Sequence, residues 1–159
     1  MKEGSDKMDK EIQEILIRHA KEAYGEAVFE RMTNPRYMGI IIDADAFGQV
    51  KGSCGDTVVV YLKIENGRVK NAAFQTNGCG ATIACGSYAA ELVRGKAPED
   101  ILGITGDSIL DYCGGLPKEN EHCATLTADA LHEAANKYLT NQVSKIAAAS
   151  LEKKEGSKQ

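Results

Sequence analysis

Three cysteines stand in contexts that suit metal or sulfur chemistry. Cys54 lies in Gly52-Ser53-Cys54-Gly55-Asp56, Cys79 in Asn77-Gly78-Cys79-Gly80-Ala81, and Cys123 in Glu121-His122-Cys123. Asp56 and His122 add a carboxylate and an imidazole to the three thiols. This donor set can hold an iron–sulfur cluster or a zinc ion with one ligand to spare. The spare ligand has a consequence. Soft thiolate sulfur matches the iron of a cluster core, whereas a carboxylate is a harder and less durable ligand. A site that can exchange its fourth ligand can load a cluster and later release it.

The remaining residues with reactive side chains read more simply. Five cysteines are an odd number and form no dense disulfide framework, so free thiols in a reducing compartment are expected. Cys85, in an alanine-rich stretch, and Cys113, beside Gly114-Gly115, read as buried thiols packing as small hydrophobes. There is no Cys-x-x-Cys pair and no βαβ pattern around the cysteines, which argues against a thiol–disulfide enzyme. His19 and His132 read as plain helix-face residues, and Tyr24 as core packing.

Composition limits the classes further. A chain of 159 residues, 43% hydrophobic, forms one domain with a modest core. No apolar run is long enough to span a membrane. The first ten residues are charged and include Glu3, Asp6 and Asp9, unlike a secretory signal or an organelle transit peptide. A cytoplasmic protein is the expectation. The net charge of −4 gives no electrostatic reason to bind nucleic acid.

The elements that must position the cysteines follow from periodicity. Residues 1–8 are polar and expected to be disordered. From 9 to about 32 the pattern is helical, with Ile12, Ile15, Leu16 and His19 at spacings of three and four. Gly25 divides this run in two, and Asn34-Pro35 ends it. Residues 47–51 form a short strand. In 57–65, Val58, Val60, Leu62 and Ile64 alternate onto one face. Asn66-Gly67 signals a two-residue hairpin turn into a return strand over 68–76, pairing Glu65 with Arg68 and Ile64 with Val69. A helix of small residues covers 81–93, short helices follow at 98–102 and 107–113, and a last helix runs from 124 to about 139. The class is α+β, a three-stranded antiparallel sheet covered by helices. Cys79 precedes one helix and Cys123 another. Unpaired N–H groups there favour thiolate.

Taken in order, Asn34-Pro35-Arg36, Cys54-Gly55-Asp56, Gly78-Cys79-Gly80 and His122-Cys123 resemble the U-type iron–sulfur cluster scaffold family, which comprises IscU of the Isc system and the N-terminal domain of NifU. The likeness spans residues 24–138, and the spacing of 44 between Cys79 and Cys123 fits the housekeeping branch. It implies a SufE/NifU-like fold and a scaffold domain over 24–145, with 1–23 an N-terminal extension and 146–159 a flexible polar tail. It implies assembly of a transient [2Fe–2S] cluster held by Cys54, Asp56, Cys79, His122 and Cys123, and its transfer to apo-proteins. The role is that of a scaffold, not an enzyme. Sulfur would come from a cysteine desulfurase of the IscS/NifS type, with Cys123 the persulfide acceptor. The alternative is the SufU branch, a zinc-bound sulfur acceptor using Cys54, Asp56, Cys79 and Cys123, and Zn2+ also fits the cluster-free form. The family links a tyrosine equivalent to Tyr24 with dimer contacts, which suits a homodimer. It also carries Leu-Pro-Pro-Val-Lys before the His-Cys pair as a site for an Hsp70-type chaperone. Here the stretch is Leu116-Pro117-Lys118-Glu119-Asn120-Glu121, which argues against that partner.

Overall fold

The computed structural model describes residues 2–156, with side chains from residue 4 to residue 153. The chain runs through α1 (Lys2–Tyr24), α2 (Glu26–Thr33), β1 (Ala46–Lys51), β2 (Thr57–Glu65), β3 (Arg68–Thr76), α3 (Gly80–Leu92), α4 (Pro98–Ile101), α5 (Gly106–Cys113), a 3-10 turn (Lys118–Asn120) and α6 (Glu121–Gly156). The class is α+β, as the alternation and helical stripes indicate.

The sheet has the order β1-β2-β3 and is antiparallel throughout. Asn66 and Gly67 both take positive φ, 55° and 74°, so the turn between β2 and β3 twists with its strands. Ile64 pairs with Val69 and Glu65 with Arg68, the register that this turn dictates. The inner face carries Val58, Val60, Leu62, Val69, Ala72 and Phe74, all buried. Helices α3 and α6 cover it. Strand β1 lies against α6 so closely that a Cβ on Gly48 would collide with the carbonyl of Ala130 and the amide of Ala134. Ala130 and Ala134 are small for the same reason: backbone approaches backbone there.

The outer edge of β3 is not left open. Gly39 donates its N–H to the Phe74 carbonyl at 2.8 Å, and Phe74 donates to Tyr37 at 3.0 Å. Further along, Val69 donates to Lys96 and Gly95 donates to Val69, both at 2.9 Å. Two loops therefore satisfy an edge that would otherwise invite pairing with another chain.

Gly25 separates α1 from α2, and Asn34 caps the end of α2, where the proline that follows forbids another turn. Two expectations are corrected. Residues 2–8 belong to α1 instead of being disordered, and the stretch after 145 continues α6 as far as Gly156 instead of forming a flexible tail. The stretch after 145 is rich in Ala, Lys and Glu, which are good helix formers, and neither segment contains a proline to stop propagation from the adjoining helix. Met1 and residues 157–159 lie outside the described residues. Ile12, Ile15 and Leu16 of α1 and Val143, Ile146 and Leu151 of α6 remain exposed.

Candidate metal and sulfur site

Three loops meet at one end of the sheet because of strand direction. β2 begins at Thr57 and β3 ends opposite it at Thr76, so the turn carrying Cys54 and Asp56 lies beside the turn carrying Cys79. Side chains bind the two turns together. Thr57 donates its N–H to Asn77 Oδ1 at 2.7 Å, and Thr76 Oγ1 donates to the Thr57 carbonyl at 2.7 Å. Within the first turn, Gly52 donates to the Asp56 carbonyl at 2.8 Å and Gly55 to the Gly52 carbonyl at 3.0 Å. The third segment is the first turn of α6, with His122 exposed and Cys123 buried. It enters through the 3-10 turn, which Tyr24 holds from the other side by donating its hydroxyl to Asn120 Oδ1 at 3.3 Å. Half-buried, Tyr24 also packs against the small core cluster of Val28, Ala84, Tyr88 and Cys113.

Cys79 occupies the N-cap position of α3 in extended conformation. Burial pushes its thiol up, but the N–H groups of Thr82 and Ala81 and the Thr82 hydroxyl outweigh it, and the net pKa falls below the ordinary value. The N–H groups act on the sulfur without a capping hydrogen bond of regular geometry. Cys123 moves the other way. Burial pushes it up, the Thr82 hydroxyl pulls it back, and the charges of Cys79 and Asp56 push it up again, leaving it above the ordinary value. One hydroxyl thus serves both sulfurs: Thr82 Oγ1 donates to Cys123 Sγ at 3.3 Å and lies 3.7 Å from Cys79 Sγ. His122 Nε2 is 3.8 Å from Cys123 Sγ.

Cys54 and His122 line a single cavity of about 280 Å³ with Gly52, Ser53, Thr125, Leu126 and Asp129. The structure therefore gathers the predicted residues in two groups. Cys79 and Cys123 meet through Thr82, while Cys54 and His122 face one cavity, and Asp56 is near enough for its charge to act on Cys123. Among the described residues, no three His, Cys, Asp or Glu side chains stand ready-clustered as metal ligands. The donor types nevertheless suit iron or zinc, with Cys54 and Cys79 exposed and Cys123 buried.

Cys85 is buried, and burial pushes its thiol strongly up. Cys113 is buried too and shifted up for the same reason. Both are packing residues. His19 is exposed on α1, and His132 uses Nε2 to bond the Ile104 carbonyl, tying α6 to the link between α4 and α5. Thr82 was not evident from sequence reasoning. Its signal is the spacing of three from Cys79 at the start of a helix, which puts both side chains on one face.

Known proteins resemble this chain. Residues 23–145 match the family described as NifU-like N terminal domain. An iron-sulfur cluster assembly scaffold protein, IscU 1 of Archaeoglobus fulgidus, is 42% identical over 133 residues, covering 82% of this chain and 87% of that protein. The scaffold protein IscU of Aquifex aeolicus is 37% identical over 122 residues, covering 75% and 78%. A crystal structure of a NifU-like protein (N-terminal) from Brucella abortus superposes with a TM-score of 0.61, 24% identity and coverage of 76% of this chain and 97% of that one. With the family profile matching most of the chain and relatives above one-third identity, the chain belongs to the NifU-like N-terminal domain family.

Proposed function

We propose that this chain is a scaffold for iron–sulfur cluster assembly, on which a [2Fe–2S] cluster is built and from which it passes to apo-proteins. The cluster is cargo, and the role is not that of a turnover enzyme. The observation that carries the reading is the pairing of Cys79 with Cys123 through one hydroxyl, at the end of the sheet that also holds Cys54, Asp56 and His122. Membership of the NifU-like family supports it, as do relatives named as cluster assembly scaffolds. In this reading the three thiols are the durable ligands, and Asp56 or His122 is the exchangeable fourth.

Sulfur arrives from a cysteine desulfurase. The Cys123 thiolate attacks the terminal sulfur of the desulfurase persulfide. One S–S bond forms on Cys123 as the other breaks, and the desulfurase cysteine leaves as thiolate. Cys123 is only 1% exposed, so the first turn of α6 has to open for the attack. His122 is exposed and moves with it. Release is not expected to use a dedicated Hsp70-type chaperone, because Lys118 stands where the second proline of its recognition stretch would be.

Anaerobic reconstitution with iron and sulfide, followed by optical and Mössbauer spectroscopy, tests the reading. The wild type is expected to show a two-iron cluster, and Cys54→Ser, Cys79→Ser and Cys123→Ser to lose it. Asp56→Ala should alter cluster lifetime and transfer rate by about tenfold, a common size for changes around a metal site. Equal lifetimes and rates would remove Asp56 from the site. Zinc bound by Cys54, Asp56, Cys79 and Cys123 that iron and sulfide cannot displace would point instead to a zinc-dependent sulfur acceptor. Mass spectrometry after incubation with desulfurase should find the persulfide absent from Cys123→Ser; an undiminished yield would move the acceptor to another thiol.

A further inference from the structure

We infer that Thr82 is a positioning residue for the two central sulfurs: its hydroxyl sets how Cys79 and Cys123 face one another. What this does for assembly rests on the reading above; the geometry itself does not.

A threonine inside a helix ordinarily donates its hydroxyl to the carbonyl four residues back. Thr127 does so, donating to the Cys123 carbonyl at 2.8 Å. Thr82 does not. It sits in the first turn of α3 with 1% of its surface exposed, and among the described residues its hydroxyl has two partners, Cys123 Sγ and Cys79 Sγ. The rotamer is held by packing. A Cβ on Gly78 would lie 2.8 Å from both Cβ and Oγ1 of Thr82, so the turn before Cys79 closes directly over this side chain. A glycine at 78 is what leaves the hydroxyl room to point at sulfur.

The arrangement suits a protein that must hold two thiols for a common task. One neutral hydroxyl, donating to Cys123 and within reach of Cys79, spans a cysteine on the turn after β3 and a cysteine on α6, 44 residues apart in the chain. It orders the sulfurs without adding a charge and without occupying a ligand position. A hydroxyl so placed remains a donor to a ligating sulfur once the cluster is present, where hydrogen bonds to sulfur raise the reduction potential.

The test compares Thr82→Val, which keeps the shape and deletes the donor, with Thr82→Ser, which keeps the donor. In the cluster-free protein, dibromobimane bridges thiols that face one another at short range, displacing one bromide at each sulfur. Peptide mass spectrometry identifies the bridged pair. The yield of the Cys79–Cys123 bridge is expected to fall several-fold in Thr82→Val at an unchanged melting temperature and to recover in Thr82→Ser. Should Thr82→Val fail to fold, Thr82→Ala against Thr82→Ser gives the same comparison. In the loaded protein the reduction potential should drop in Thr82→Val and recover in Thr82→Ser. A bridge yield in folded Thr82→Val equal to wild type overturns the inference. A wild type that takes up no cluster but shows the expected bridging pattern removes the assembly reading and leaves Thr82 in its positioning role.

Discussion

At the scale of single residues, the cysteines differ by what their sulfurs face. Cys79 is exposed at a helix start and its thiol is shifted down; Cys123 is buried and shifted up; Cys85 is deep in the core and shifted furthest. The thiolate is the reactive form. Iodoacetamide at neutral pH should therefore label Cys79 well before Cys123, and Cys85 last, as followed by peptide mass spectrometry. Labelling of Cys123 ahead of Cys79 would show that the closed first turn of α6 is not the resting state in solution. Cys85 also predicts a pH effect on stability. Its folded pKa lies above the ordinary 9.0, so its contribution is complete below that value and is lost as pH rises beyond it. Melting temperatures across the alkaline range should decline above about pH 9, and less steeply for Cys85→Ala. Identical slopes for the two proteins would mean that Cys85 is not the source.

At the scale of elements, the site depends on how tightly α6 lies on β1 and α3 on β3, since these contacts fix where Cys123 and Cys79 emerge. Gly48 is the most sensitive point. An added methyl there meets backbone atoms of α6, which cannot rotate away as a side chain could. Gly48→Ala is expected to destabilise by about 1–3 kcal/mol, the usual cost of overpacking, as read from the midpoint of urea unfolding. A midpoint equal to wild type would show that β1 and α6 can slide apart freely. Much at this scale was legible beforehand. Alternating β-branched residues and Asn66-Gly67 defined the hairpin and its register, because both are local signals. The lengths of α1 and α6 were not, because charged ends resemble disorder until a neighbouring helix propagates through them.

At the scale of the whole molecule, α1 is an addition more than a support. It packs on α2, while Ile12, Ile15 and Leu16 face solvent. Tyr24, at its end, is the part engaged with the core and with the turn leading to Cys123. Deleting residues 1–22 should leave a cooperative fold within about 1 kcal/mol of wild type, since little burial is lost. Guanidinium unfolding of the truncated chain checks this, and loss of cooperativity would assign α1 a part in the core.

The sequence by itself determined the family and the three-stranded sheet and nominated the candidate ligands, because these rest on local periodicity and on motifs a few residues long. It also marked Cys85 and Cys113 as packing thiols from their setting among small residues. Only the tertiary structure decided that Cys79 and Cys123 share the Thr82 hydroxyl, and that Cys123 lies closed off while Cys79 is open. Those facts depend on where strands β2 and β3 end relative to the first turn of α6. Contacts between such distant segments come from packing of the entire core, and no short stretch of residues encodes them.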